Sequence, residues 1–207
     1  MLWSLLPILT YWSTVGVCYF QGWDTMDSQK NSVTPRQVVR DVLVLQALQF
    51  IFQVPQDLGW CRSPWVCLDT ESDRVSPWYI GASYFAMEAV DFFAHWLDHS
   101  WPFWYRFHKK HHELVNVYSF GAMYHSHIGS IRSGVAQFLV QIYLVQATWI
   151  EFCLAFSASM AVLVLIHCEG IDAFSKHRFH ARHHESLRGN YSPLIFEFWD
   201  TLFCTRI

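Results

Sequence analysis

From Gly134 to Cys168 the chain runs 35 residues with a single charged side chain, Glu151. Such a run has no place on a water-facing surface. It is also too long for one bilayer crossing, which takes about 20 apolar residues. It reads as two membrane helices folded into a tight hairpin near Glu151. Three further stretches fit the same measure: residues 2–20 carry no charge, 42–58 is diluted by Gln46, Gln49 and Gln53, and 78–97 completes the set. A cleaved signal peptide is the competing reading of 2–20. It is the poorer one, because no basic segment precedes the run and no small-residue cleavage site follows it. Backbone groups inside a bilayer are satisfied only within helices or closed barrels. The expected fold is therefore an all-α integral membrane helical bundle of four to five membrane helices.

Composition agrees. Hydrophobic residues make up 53% of the chain and charged residues only 15%, against about a quarter charged in soluble domains. A net charge of −3 leaves no basic footprint for nucleic acid. Six cysteines form no CxxC pair. Cys61 and Cys67 share one loop, where they either pair, if that loop faces an oxidising compartment, or stay as separate thiols.

Basic residues favour the cytoplasmic side of short loops. Lys30, Arg36 and Arg40 lie in loop 24–41, and Arg106, Lys109, Lys110, Arg178, Arg182 and Arg188 accompany the histidines. With the amino terminus outside, alternate crossings deliver both regions to the cytoplasm. The Asn190-Tyr191-Ser192 sequon would then escape glycosylation.

All twelve histidines fall between His95 and His184. "FHKKHHE" at 107–113 is echoed by "FHARHHE" at 179–185, and "HWLDH" precedes both at 95–99. Residues three or four apart on a helix share a face, with Cβ atoms about 5–6 Å apart. Imidazole nitrogens spaced this way can close on one ion at about 2 Å each. His95, His99, His108, His111, His112, His180, His183 and His184, with His167 at the end of the long apolar run, give nine candidate ligands. One metal cannot use nine, so two ions are expected. Imidazole suits iron, zinc, copper and nickel alike. His177 reads as an ordinary polar residue. Lys109, Lys110 and Arg182 read as solvated or set against phosphate headgroups, and aromatic 101–107 as an interfacial belt. Among nearby acids, which include Asp98 and Asp172, Glu88 and Asp91 are the best-placed carboxylates to orient a ligand imidazole, because an unpaired acid within a span is costly. Glu113 and Glu185 either do the same or complement helix ends.

The pattern H-x3-H, H-x2-H-H and H-x2-H-H on membrane helices resembles the fatty acid hydroxylase/sterol desaturase superfamily. The tail "GNYSPLIFEFWDTLFCT" at 189–205 is similar to its closing Asn-Tyr and Trp-Asp motifs, with Cys204 where Gly is usual. "LLPILTYW", "VVRDVLVLQALQ", "YSFGAMY" and "HCEG" resemble the sphingoid-base 4-hydroxylases (sphinganine C4-monooxygenases). In "YHSH" at 124–127 the family's histidine falls on Ser126 and its proline on His127. His125 and His127 are therefore both kept as possible ligands. The resemblance implies N-terminal membrane helices over 1–77 and a hydroxylase-type catalytic domain over 78–207, with the histidine-rich region facing the cytoplasm. It further implies two iron ions, dioxygen as co-substrate, and insertion of one oxygen atom into a lipid C–H bond. Electrons would come from NAD(P)H through a separate cytochrome b5 and its reductase, at the endoplasmic reticulum membrane. The alternatives are a sterol or fatty acid desaturase or hydroxylase, and a catalytically inactive metal-binding membrane protein.

Overall fold

A computed structural model of the chain describes residues 2–24, 29–61, 63, 67–72, 74–168, 179–192 and 197–207. Eight α-helices are seen among them: α1 (Leu5–Phe20), α2 (Pro35–Asp57), α3 (Pro77–Ser100), α4 (Pro102–His108), α5 (His127–Val140), α6 (Trp149–Ile166), α7 (Phe179–Ser186) and α8 (Phe198–Leu202). No β-strand forms among the described residues beyond an isolated bridge between Asp69 and Thr148. By length and composition, α2, α6 and α5 with its π-helical extension to Val145 can cross a membrane, and α1 is a shorter apolar helix. At 24 residues α3 is long enough, but it carries Glu88, Asp91 and Asp98. The chain is a membrane protein built as a helical bundle.

Capping chemistry sets the boundaries. Thr34 caps α2 in a capping box with Gln37, followed by Pro35 at the first helical position, so the helix starts well before the apolar run at 42. Ser126 caps α5 by accepting from the Gly129 amide at 3.1 Å, again ahead of the apolar run. The hairpin of the long block turns at Gln146, whose φ is 56°. Thr148 then opens α6 in a capping box with Glu151. Glu151 marks the turn because it is the reciprocal partner of that cap.

Tyr11 and Cys18 of α1, Val38 and Val42 of α2, Met87 of α3, and Phe152, Cys153 and Met160 of α6 share one apolar core. Core residues therefore come from both sides of residue 77. Cys61 and Cys67 form a disulfide, and Cys18 pairs with Cys168 just past α6. The five long helices alternate in direction. At one end Asp57 of α2 accepts from the Trp3 and Ser4 amides and from Trp149 Nε1. At the other, α3 and α6 deliver His95, His99 and His167.

Candidate metal centre

The nine expected histidines converge as two groups. His95, His99, His108, His112 and His183 form one, and His111, His167, His180 and His184 the other; within each group the ligating atoms lie within 4.8 Å of one another. The doubled motif supplies both groups in crossed fashion. From 107–113, the i, i+4 pair His108 and His112 joins the first group and His111 the second. From 179–185, the i, i+4 pair His180 and His184 joins the second and His183 the first. α3 adds two rings to the first group, and the end of α6 adds one to the second.

The donor set fits a metal. Nε2 atoms of His112 lie 3.0 Å from those of His99 and His108 and 3.3 Å from that of His183. In the second group, His184 Nε2 is 3.0 Å from that of His111 and 3.1 Å from that of His180. Ligands at about 2.1 Å on one ion stand roughly 3.0–3.4 Å apart at octahedral or tetrahedral angles. Proton placement excludes simple hydrogen bonding for several rings. The Nδ1 atoms of His111, His167 and His184 face the carbonyls of Tyr124, Leu163 and Leu114 at 3.1, 2.7 and 2.6 Å. Those of His95 and His183 face Tyr191 and Gly189 at 2.7 and 2.8 Å. A carbonyl only accepts, so each Nδ1 carries the proton and each Nε2 is a bare lone pair. His111 and His184 thus point two lone pairs at each other. His95 Nε2 and His167 Nε2 are buried with no hydrogen-bond partner among the described residues. Unpaired lone pairs in a buried site are costly, and a cation between them removes the cost.

Electrostatics favours the same state. Burial pushes His108, His111, His180 and His184 well below the ordinary imidazole range, and takes His112 to about 2, His183 to about 3 and His167 to about 4. Neutral imidazole is the form that binds metal.

The residues around the ligands differ in part from expectation. Asp91 accepts from Ser133 Oγ at 2.9 Å and Gln137 Nε2 at 2.7 Å; these bonds tie α3 to α5 rather than orienting an imidazole. Glu88 is buried in α3. A carboxylate that does face a ligand ring is Asp98, whose Oδ2 lies 3.5 Å from His108 Nδ1 and accepts from Arg132 at 2.6 Å. Its position inside "HWLDH" was the available signal. Glu113 accepts from the Tyr124 hydroxyl at 2.7 Å, buttressing the residue whose carbonyl holds His111, while Glu185 is exposed. Five backbone carbonyls do most of the orienting, and no side-chain motif announces them.

His125 and His127 belong to neither group. His125 stacks face to face on His111, with ring centroids 4.1 Å apart and planes at 13°, and His127 is exposed in the first turn of α5. Asp172 and His177 lie outside the described residues. Asn190 is fully buried and its side-chain amide donates to the carbonyls of Phe179 and Ile207, so in the folded chain this residue serves the packing of the closing segments.

Residues 80–205, more than half of the chain, match the family model of the fatty acid hydroxylases. Comparison with curated proteins and with solved structures gave no match. Two groups of converging imidazoles at one end of a membrane bundle agree with that match, and the chain belongs to the fatty acid hydroxylase family.

Proposed function

We propose that the chain is a membrane hydroxylase of long-chain lipids that holds two iron ions, one in each histidine group, and hydroxylates carbon 4 of sphinganine or dihydroceramide. The observation that carries this is the convergence of nine imidazoles, all but the half-buried His99 buried, into two sets. The five nitrogens of one group and the four of the other would hold an ion each, with room for an exogenous ligand. Iron held there would supply dioxygen activation and oxidation of an unactivated C–H bond.

The chain's own residues would do the positioning. α3, α6 and the segments at 108–112 and 180–184 fix the donors at the mouth of the bundle, where a lipid rising from the bilayer can reach them. Tyr124, Leu114 and Leu163 hold three rings of the four-histidine group, His111, His184 and His167, by their carbonyls. Tyr191 and Gly189 hold two of the five-histidine group. Burial keeps the ligand rings in the neutral form that binds metal.

The basic residues beside the histidines, among them Arg106, Lys109 and Arg182, support a cytoplasmic orientation in the endoplasmic reticulum membrane. A separate cytochrome b5, reduced by its reductase at the expense of NAD(P)H, would deliver electrons from the aqueous side. The sphingoid substrate rests on the resemblance of residues 5–12, 38–49, 118–124 and 167–170 to that branch. The departures at Ser126 and Cys204 take no donor from either group, because Ser126 caps α5 and Cys204 lies in the closing turn.

The test is sphingoid-base profiling by mass spectrometry in eukaryotic cells that contain cytochrome b5 but lack 4-hydroxylated bases. Phytosphingosine should appear with the native chain and vanish with His183→Ala. If sterol or fatty acid products appear instead, the substrate assignment moves within the family. If no lipid changes while metal is bound, the reading of an inactive metal-binding protein replaces it.

A further inference from the structure

The closing "GNYS" and "WDTLFCT" segments donate no side chain to either histidine group, yet they are built around a fully buried carboxylate. Asp200 Oδ1 accepts from the Tyr191 amide at 2.8 Å and the Thr205 hydroxyl at 2.6 Å, and Oδ2 from the Ser192 amide at 2.7 Å. The Asn190 amide donates to the Thr205 carbonyl at 2.9 Å, and the Asn190 side chain accepts from Ile207 N at 3.0 Å. Gly189, at φ 56°, sits so close to the Thr205 carbonyl oxygen that a Cβ there would clash with it. α8 is fixed to α3 by aromatic packing, with Phe203 and Trp199 at 5.5 and 6.1 Å from Phe92 between ring centroids.

What this clamp presents is two carbonyls. Tyr191 O takes the Nδ1 proton of His95, and Gly189 O that of His183. Both rings belong to the five-histidine group. The carbonyls of the four-histidine group come from Leu114, Tyr124 and Leu163, none of which touches Asp200. We propose that Asp200 is a positioning residue for one metal only: by fixing the 189–192 backbone it sets the tautomer and aim of His95 and His183, and it leaves the four-histidine site to the core.

This rests on the two-metal reading above, and metal retention tests both separately. The full chain in detergent micelles is loaded with ferrous iron, and iron per chain and release to a chelator are followed. Each run is repeated in a His184→Ala background, where the remaining ion reports the five-histidine group alone. Asp200→Asn puts an amide donor against backbone N–H groups. It should weaken the five-histidine ion by about tenfold to a hundredfold, as loss of an orienting partner does, and leave the four-histidine ion at its native release rate. Should Asp200→Asn fail to fold, Thr205→Val, which removes one donor to the same carboxylate, should still speed release of that one ion. Native release of both ions in the foldable variants, or equal acceleration of both, would overturn the inference while the metal reading stands. A native chain that binds no iron would overturn both.

Discussion

At the end of the bundle away from the histidines, two carboxylates, buried Glu151 and half-buried Asp57, are fully supplied with donors. Glu151, with no exposed surface, accepts from Arg74 Nε and Nη2 at 3.2 and 3.0 Å, from the Ser76 amide at 2.9 Å and from the Thr148 amide at 2.9 Å. Asp57 accepts from two backbone amides, the Ser4 hydroxyl and the Trp149 indole. At the opposite end, buried imidazoles face one another lone pair to lone pair, and several nitrogens have no partner among the described residues. Both ends bury polar side chains where water is scarce. A saturated network of this kind joins helices and is complete in itself, whereas a convergent unsaturated one is complete only with something bound. Unpartnered polar atoms also occur singly away from the histidines, as at Gln53, Gln56 and Ser83, so it is the convergence of like donors on one point that marks the chemical end, without reference to any relative.

The largest expected effect is at the unsaturated end. His111→Ala or His183→Ala should lower lipid hydroxylation by more than about a hundredfold, beyond what loss of an orienting partner costs, while membrane insertion and the unfolding midpoint in micelles hold or rise. Product formation at native levels in either variant would place the chemistry elsewhere. Glu151→Ala should do the reverse. It strands three donor groups, with Arg74 partly exposed to water, and should cost about 2–3 kcal/mol in denaturant unfolding with iron content unchanged. Loss of iron at native stability would erase the distinction between the ends.

Acid sharpens the comparison. The buried histidines keep folded-state values of about 3 for His183 and about 4 for His167, below the ordinary 6.5. In metal-free protein their stabilising contribution is complete above about pH 6.5. It declines as pH falls from there toward 4, because the unfolded chain takes up protons that the folded site refuses. Melting of the apo chain should therefore shift downward between pH 7 and pH 5, and His183→Ala should flatten that slope. A slope identical in the variant would contradict the assignment. The smallest effect is at Cys204, which adopts φ 55°, a conformation that glycine accepts without a Cβ penalty. Cys204→Gly should stabilise the chain by about 0.5–1 kcal/mol, read as a small rise in melting temperature with iron content constant.

Much of this was legible in the residues themselves. The i, i+3 and i, i+4 spacing of His108, His111 and His112, repeated at 180–184, is a helical-face signal that survives without a structure, even though 111–113 is a 3-10 turn. The hairpin of the long apolar run is written in Glu151, because a lone acid there has to sit at a turn. Helix starts were less accessible: α2 and α5 begin at Thr34 and Ser126 caps placed in polar sequence, ahead of the apolar signal. The division of neighbouring His111 and His112 between two groups is a tertiary fact, since adjacent rings diverge and only packing decides where each points. Asp91 was a reasonable orienting acid by helical spacing, but Ser133 and Gln137 on a distant segment claim it. Carbonyl acceptors such as Gly189 and Leu114 leave no trace in side-chain chemistry.

The most direct test of the two-group centre is a metal count. The full chain, purified in micelles and loaded with ferrous iron, should hold two ions by elemental analysis. His112→Ala, at the hub of the five-histidine group, and His184→Ala, at the hub of the four-histidine group, should each hold one. A native chain with a single ion that either substitution abolishes would contradict two independent groups and point to one shared site.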